Sequence, residues 1–294
     1  MKIFITGANG FLGQHLSLYL AAKGFDIITS GRSGCKIPDK EKFVYKQLEL
    51  TNKKEVLETI NELKPHVIIH TAAMSKPDEC ERQRDVCLLN NVTATSYLVD
   101  AANAVDGKFI YVSTDFVFGE GGPHNEDDFS APLNFYGESK LMAEELVKKK
   151  AKHYAIMRPV FIYGKIWEGM RPTFLHWVKN NLEQNKPIKV VSDQQRTPTY
   201  VIDLCKGIEA MIDKNVTGIY HLAGKEILSP YQMAVQVAAI LNLDKTLIES
   251  VTSETFPEPV KRAKKSGLVI DKARKELGYE PVSFEEGVRR SFGV

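Results

Sequence analysis

The sequence predicts an α/β fold, a doubly wound parallel sheet with helices on both faces and a smaller, interleaved C-terminal lobe. Three observations carry this expectation. Short apolar runs alternate with amphipathic stretches as far as residue 163, the pattern of repeated βαβ units. A glycine-rich turn, Gly7 to Gly13, follows the first apolar run without a gap. Beyond Gly164 the alternation becomes irregular, and neither an internal repeat nor a low-complexity linker separates the halves.

Taken in order, the apolar runs place strands at Lys2–Thr6, Asp26–Ser30, Phe43–Leu48, Val67–Thr71, Phe109–Ser113 and Tyr154–Arg158. Between them, Lys53–Leu63 reads as a helix: Val56, Leu57, Ile60 and Leu63 share one face, Thr51 or Asn52 can cap the start, and Pro65 lies just past the end. In the second half, Thr173–Leu182 is an aromatic-rich helix candidate, and Ile188–Val191 and Gly218–Leu222 are strand candidates. Ser229-Pro230, a capping residue with proline at the first helical position, opens an apolar helix that runs to Leu243.

At roughly 150 residues per domain, 294 residues suggest about two lobes. The change of pattern places a nucleotide-binding domain at 1–163, with 196–228 returning to it, and a substrate lobe at 164–195 and 229–294. Apolar residues at 43% and charged residues at 26% exclude a disordered chain. With 39 Lys and Arg against 37 Asp and Glu, there is no basic excess of the kind that marks a nucleic-acid partner. Cys35, Cys80, Cys87 and Cys205 form no Cys-x-x-Cys pair, and no apolar stretch approaches the roughly 18 residues of a membrane span. The apolar run at the N-terminus is too short for a signal peptide. The expectation is a soluble, cytoplasmic protein without a membrane partner, acting on a small molecule. The seven histidines show no metal-ligand spacing, so no metal is expected, and His70 reads as a satisfied core residue.

Gly7, Asn9, Gly10, Phe11, Leu12 and Gly13 form a turn between a strand and a helix that contains Leu16 and Leu20. Glycines there permit a tight turn and close approach to a pyrophosphate, with the helix N-terminus facing the anion. An acid at the end of the second strand would hold the ribose hydroxyls of NAD. The sequence instead reads Thr29-Ser30-Gly31-Arg32-Ser33, and an arginine suits the 2′-phosphate of NADP. NADP is therefore favoured, NAD stays open, and Arg32 as a solvated loop charge is the alternative.

Tyr136 and Lys140 stand four residues apart at the start of a helix, on one face. An ammonium beside a phenol favours the phenolate, which makes Tyr136 an acid or base usable near neutral pH. Upstream, the strand ending in Ser113, Thr114 and Asp115 opens towards the same crevice, where Thr114 or Ser113 can hydrogen-bond a substrate carbonyl.

The glycine turn, strand-end hydroxyls and Tyr-x-x-x-Lys, in this order, resemble the extended short-chain dehydrogenase/reductase superfamily over essentially the whole chain. The resemblance implies a Rossmann-type doubly wound sheet. It also implies that Ala72, Ala73 and Asn91 join the glycine turn, Arg32, Tyr136 and Lys140 around the cofactor. Arg158-Pro159 through Tyr163-Gly164 looks like the superfamily segment beside the nicotinamide. As a buried amide, Asn91 has a structural reading as well. Ser113-Thr114-Asp115-Phe116-Val117-Phe118 and Gln194 to Tyr200 resemble dTDP-4-dehydrorhamnose reductases. In that family the likeness places Asp115, Phe116, Arg196 and Arg262 at the substrate. Two departures stand out: Arg196-Thr197 replaces a small Gly-Ser pair, and Arg262 to Leu268 lacks the family's proline and asparagine.

The implied activity is NADPH-dependent reduction of a keto group on a nucleotide-activated deoxysugar. Tyr136 would act as the acid, Lys140 as its neighbour on the nicotinamide ribose, and Thr114 as the carbonyl-orienting group. Phe116 follows Asp115 where dehydratases of the superfamily carry Glu, which argues against dehydration. Alternatives are a sugar-nucleotide epimerase with NAD, or a non-catalytic regulatory subunit of the same fold. A homodimer is left open. The run Lys261–Lys265 reads either as a diphosphate site with Arg196 or as a solvated charge cluster.

Overall fold

The computed structural model describes residues 1–256 and 260–294. From the N-terminus the elements run β1 (Lys2–Thr6), α1 (Phe11–Ala22), β2 (Asp26–Gly31), β3 (Val44–Gln47), α2 (Lys53–Leu63), β4 (Val67–His70), α3 (Pro77–Arg82), α4 (Arg84–Leu88), α5 (Ala94–Ala104), β5 (Lys108–Val112), α6 (Phe135–Lys150) and β6 (Tyr154–Arg158). The second half adds β7 (Ile162–Tyr163), α7 (Phe174–Glu183), β8 (Ile188–Val191), β9 (Thr199–Tyr200), α8 (Val201–Asp213), β10 (Gly218–His221), α9 (Pro230–Ile240), β11 (Ile248–Val251), α10 (Asp271–Leu277) and α11 (Phe284–Phe292).

Seven parallel strands form the main sheet in the order β10-β6-β5-β4-β1-β2-β3. Strand side chains alternate between faces, and the sequence fills both faces with apolar residues. Ile3 and Ile5 pack with Leu16 and Leu20 of α1 and Leu204 and Ile208 of α8. Phe4, between them, packs on the other face with Ile60 of α2, Leu98 of α5 and Val147 of α6. Each such buried side chain contributes about 1.5–3 kcal/mol. The chain moves from β1 outward through β2 and β3, then returns to β4 on the other side of β1. The crevice at the carboxyl ends of β1 and β4 is the topological switch point where ligands of such sheets bind.

A third core lies apart from these two. Leu175 and Val178 of α7, Val190 of β8, Met233 and Val237 of α9, Ile248 of β11 and Val288 of α11 pack together. There β8 and β11 form a separate parallel pair, as do β7 and β9.

Most expected elements stand where the sequence placed them, and their caps explain the bounds. Asn52, not Thr51, caps α2, its Oδ1 accepting from the Glu55 amide at 3.3 Å. Ser229 and Gln232 complete a capping box on α9. That helix ends at Ile240 rather than Leu243, because Asn242 takes a left-handed backbone with φ 55°. The expected strand at 218–222 is β10 and extends the main sheet beside β6. A π-helical turn, Leu89–Thr93, joins α4 to α5 and had no sequence signal. Among the described residues, no helix is long and apolar enough to cross a membrane.

Candidate active site

The glycine turn is shaped by contacts that leave no room for side chains. Gly7 has φ +66°, and a Cβ on it would lie 2.6 Å from the Ala72 nitrogen; one on Gly13 would lie 2.4 Å from the Gly7 carbonyl oxygen. These contacts hold β1, the end of β4 and the first turn of α1 together. The Gly10 amide donates to the Gly7 carbonyl at 2.8 Å. Gly10 is also the N-cap of α1, which has no side-chain cap and no acid in its first turn. The free amides and positive end of this helix face a cavity of about 620 Å³. A dinucleotide fits that cradle. Gly7, Gly10, Phe11, Leu12, Gly13, Ala72 and Ala73 all border it, as expected.

Arg32 also borders the cavity. It is exposed, and its guanidinium makes no hydrogen bond or ion pair among the described residues. Asn9 borders the cavity too, but its side-chain amide is engaged by Gly34, Lys36 and Tyr45 rather than directed into the space. The direct contact expected of Asn9 is thus replaced by a bracing role for its side chain.

Opposite the glycine turn, Thr114, Asp115, Phe116, Tyr136 and Lys140 converge on the same cavity. Thr114 is the N-cap of a short 3₁₀ turn, its Oγ1 accepting from the Phe116 amide at 3.3 Å and donating to Asp115 Oδ1 at 3.2 Å. The Ser113 hydroxyl is buried, borders the cavity and has no hydrogen-bond partner among the described residues. An orphaned hydroxyl at this depth is stabilised by an incoming acceptor such as a carbonyl. The Phe116 ring meets Tyr136 edge-on at 5.4 Å.

Burial dominates the protonation of both helix residues. It pushes the Tyr136 phenol well above 10, with the Thr114 hydroxyl opposing and the Asp115 charge reinforcing the rise. It lowers Lys140 to about 7, against the charge of Glu144 one turn further on. The Lys140 ammonium donates to the Val112 carbonyl at 2.7 Å and lies over the Tyr111 ring at 4.1 Å. The expectation that Lys140 draws Tyr136 down towards neutrality is therefore corrected. Lys140 is not among the groups that move the Tyr136 phenol; desolvation dominates and favours the neutral, proton-bearing form.

Three expected site residues stand off the cavity wall. Asn91 is buried in the π-helical turn; its Oδ1 accepts from the Met74 amide at 2.8 Å and its Nδ2 donates to the Met74 carbonyl and Ser139 Oγ, each at 3.0 Å. It ties the segment after β4 to α6, which is the structural reading. Arg196 is buried in an adjoining recess with Asp115 and Ser266. It donates to the Gln195 carbonyl at 2.7 Å and to Gln194 Oε1 at 3.2 Å. Its charge pulls the Asp115 carboxyl down against the larger upward push of burial. Arg262 pairs with Asp78 at 3.3 Å. In the rest of the basic run, Lys264 pairs with Asp193 at 3.0 Å, and the Lys264 and Lys265 amides donate to Glu120. This cluster fastens the 261–268 segment to the body of the protein.

His70 is a core residue, with Nδ1 2.7 Å from Thr6 Oγ1 and Nε2 3.1 Å from Thr95 Oγ1. Sequence reasoning missed Glu49 and Pro77 on the cavity wall, whereas Phe161, which also borders it, lies in the 158–164 segment expected beside the nicotinamide. Phe161 carries φ 41°, a strained backbone for an aromatic residue, and no local pattern announces it.

Residues 1–293 match the family described as the RmlD substrate binding domain. The chain belongs to the RmlD substrate binding domain family. This RmlD-family chain is similar to the solved structure of a dTDP-4-dehydrorhamnose reductase from Clostridium acetobutylicum, at 32% identity over 100% of this chain and 99% of that one, with TM-score 0.89. It is also similar to the dTDP-4-dehydrorhamnose reductase of Bacillus anthracis in complex with NADP, at 31% identity over 99% and 98% of the two chains, with TM-score 0.88. Among curated proteins, methionine adenosyltransferase 2 subunit beta of Pongo abelii is 31% identical over 258 residues, 85% of this chain and 75% of that protein. The fold class and the resemblance to dTDP-4-dehydrorhamnose reductases expected from sequence are borne out.

Proposed function

We propose that the protein is an NADPH-dependent reductase of a keto group on a nucleotide-activated deoxysugar, of the dTDP-4-dehydrorhamnose reductase type. The observation that carries this reading is the meeting of Tyr136, an orphaned Ser113 hydroxyl and Lys140 in one cavity with the glycine turn. The first turn of α1 would hold the diphosphate of the dinucleotide, and Arg32 its 2′-phosphate. When bound, the reduced nicotinamide supplies hydride to the carbonyl carbon.

The chain's own residues supply the rest. The Ser113 and Thr114 hydroxyls hold the carbonyl oxygen, and the Tyr136 hydroxyl gives its proton to that oxygen as negative charge develops there. A phenol held protonated by burial is the form that reduction requires. Lys140, on the same helix face, binds the ribose hydroxyls of the dinucleotide. Asp115 and Phe116 border the sugar. The cofactor side comprises 1–163 with 196–228, and the substrate side 164–195 with 229–294; the separate core of α7, β8, α9, β11 and α11 supports that division, except that Leu268, Ile270, Ala273, Leu277 and Tyr279 pack with the main core and so belong to the cofactor side. Four free thiols fit a reducing, cytoplasmic compartment.

The test is NADPH oxidation, followed by absorbance, with a dTDP-4-keto-6-deoxyhexose as substrate and Tyr136→Phe as control. Substrate-dependent oxidation that the variant loses supports the reading, and undiminished turnover in Tyr136→Phe refutes the role of Tyr136. The likeness to methionine adenosyltransferase 2 subunit beta favours a second reading, a non-catalytic subunit of the same fold. Binding of NADPH without oxidation by any keto-sugar nucleotide would favour it.

A further inference from the structure

The loop after β2 carries Arg32 but lies beyond the last paired residue of that strand, Gly31, which is in register with Gln47. Its backbone is held by side chains instead. The Asn9 Oδ1 accepts from the Lys36 amide at 2.8 Å. The Asn9 Nδ2 donates to the Gly34 carbonyl at 3.1 Å and to the Tyr45 hydroxyl oxygen at 3.0 Å. The Tyr45 hydroxyl itself donates a hydrogen bond to the Ser33 carbonyl, and Gln47 Nε2 donates to the Arg32 carbonyl at 3.0 Å. Three consecutive carbonyls, those of Arg32, Ser33 and Gly34, are thereby tied to the glycine turn or to β3.

The chemistry fixes the direction of each bond. An amide N–H can only donate and a carbonyl can only accept, so Lys36 and Gly34 together set which end of the Asn9 amide faces which way. Gly31 makes room for the arrangement: a Cβ there would lie 2.6 Å from the Tyr45 hydroxyl and 3.1 Å from Asn9 Nδ2.

We propose that Asn9 and Tyr45 form a clasp that sets preference for a 2′-phosphorylated dinucleotide, by fixing the loop that presents Arg32 to the 2′-phosphate. The proposal rests on the cofactor reading above. Asn9 sits within the turn that cradles the diphosphate, so the clasp joins the diphosphate site and the 2′-phosphate site into one rigid unit. Among the described residues Arg32 has no partner for its guanidinium, and a loop ordered beforehand removes part of the entropy lost when the phosphate binds. A cofactor with a 2′-hydroxyl makes no use of Arg32 and is largely indifferent to the loop. Asn9 and Tyr45 are thus positioning residues that act through Arg32, in a step without covalent chemistry.

The test is direct binding to the full chain of NADPH, NADH, adenosine 2′,5′-bisphosphate and AMP, for wild type, Tyr45→Phe, Asn9→Ala, Arg32→Ala and the Arg32→Ala/Tyr45→Phe double variant. Tyr45→Phe should weaken NADPH and the bisphosphate about tenfold, the scale of one well-placed interaction, and NADH and AMP less than about twofold. Retained NADH binding shows that the variant is folded. Asn9→Ala should act in the same direction. In the Arg32→Ala background, Tyr45→Phe should change NADPH binding less than about twofold, the non-additivity expected of a residue that acts through another. Equal weakening of all four ligands, no weakening, or a full tenfold loss in the double variant overturns the clasp while wild-type preference for NADPH keeps the cofactor reading. A wild type that binds the phosphorylated and unphosphorylated ligands equally overturns both.

Discussion

Gly137, one residue after Tyr136, packs so closely on the 3₁₀ turn at Phe116 that a Cβ on it would lie 2.1 Å from the Phe116 carbonyl oxygen. The Gly137 amide is capped by Asn134 Oδ1 at 3.1 Å, which fixes the helix start at this point. The first turn of α6 and the 3₁₀ turn that follows β5 are therefore in close contact. That contact brings the Tyr136 phenol to the strand-end hydroxyls.

Gly137→Ala should lower kcat about a hundredfold, the usual effect of a displacement on the order of 1 Å at a reacting centre. Alanine is favoured over glycine within a helix by about 1 kcal/mol. A lower thermal midpoint despite that gain would identify the contact with Phe116 as the cause. Steady-state kinetics beside a thermal melt decides it, and unchanged kcat would show that the contact is dispensable.

Tyr136→Phe should reduce kcat by about 10²–10⁴, the range for loss of a positioned general acid, with NADPH affinity altered little. Ser113→Ala should cost less, about tenfold, since one neutral hydrogen bond to the carbonyl is lost while Thr114 and Tyr136 remain. Single-turnover rates measured with saturating NADPH separate these chemical effects from binding.

Arg32→Ala should weaken NADPH far more than NADH. A charge-assisted contact to the 2′-phosphate is worth about 1.5–3 kcal/mol, or roughly 10- to 100-fold in affinity. Fluorescence titration with the two cofactors measures the ratio, and equal losses would refute the contact.

Stability should fall as pH drops below 6.5. Burial lowers His70 and His221 to about 3 and His15 to about 4. Each is neutral in the folded protein and takes up a proton on unfolding, so its contribution is complete above 6.5 and is lost as pH falls towards the folded value. At pH 5.5, one unit below the ordinary value, each costs about 1.4 kcal/mol relative to pH 8. The carboxyls of Asp115 and Glu126, pushed up by burial, act in the opposite sense at lower pH. Urea unfolding at pH 8 and 5.5 gives the difference; equal stabilities would show that these histidines accept protons while buried.

The glycine turn, the strand-end hydroxyls and the Tyr136-Lys140 spacing were legible because each is a local pattern, set by a turn, a strand end or one helical turn. That Asn91, Arg196 and Arg262 stand off the wall of the main cavity was not legible, because their partners, such as Met74, Asp115 and Asp78, lie elsewhere in the sequence. Nothing in a linear string records which carboxylate a distant arginine will meet. Tyr45 and Glu49 were missed for the same reason, since neither belongs to a motif and both reach the site only through the register of β3.

By itself, then, the sequence determined a parallel α/β sheet, its first six strands and the cofactor end of the site, because hydrophobic period and backbone geometry are short-range. Only the tertiary structure decided where β10 pairs, in parallel beside β6, that the Asn9 amide braces the loop at Gly34, Lys36 and Tyr45, and that burial dominates the protonation of Tyr136. The last depends on desolvation, which is a property of everything packed around a group and is not recorded in the spacing of two residues on a helix.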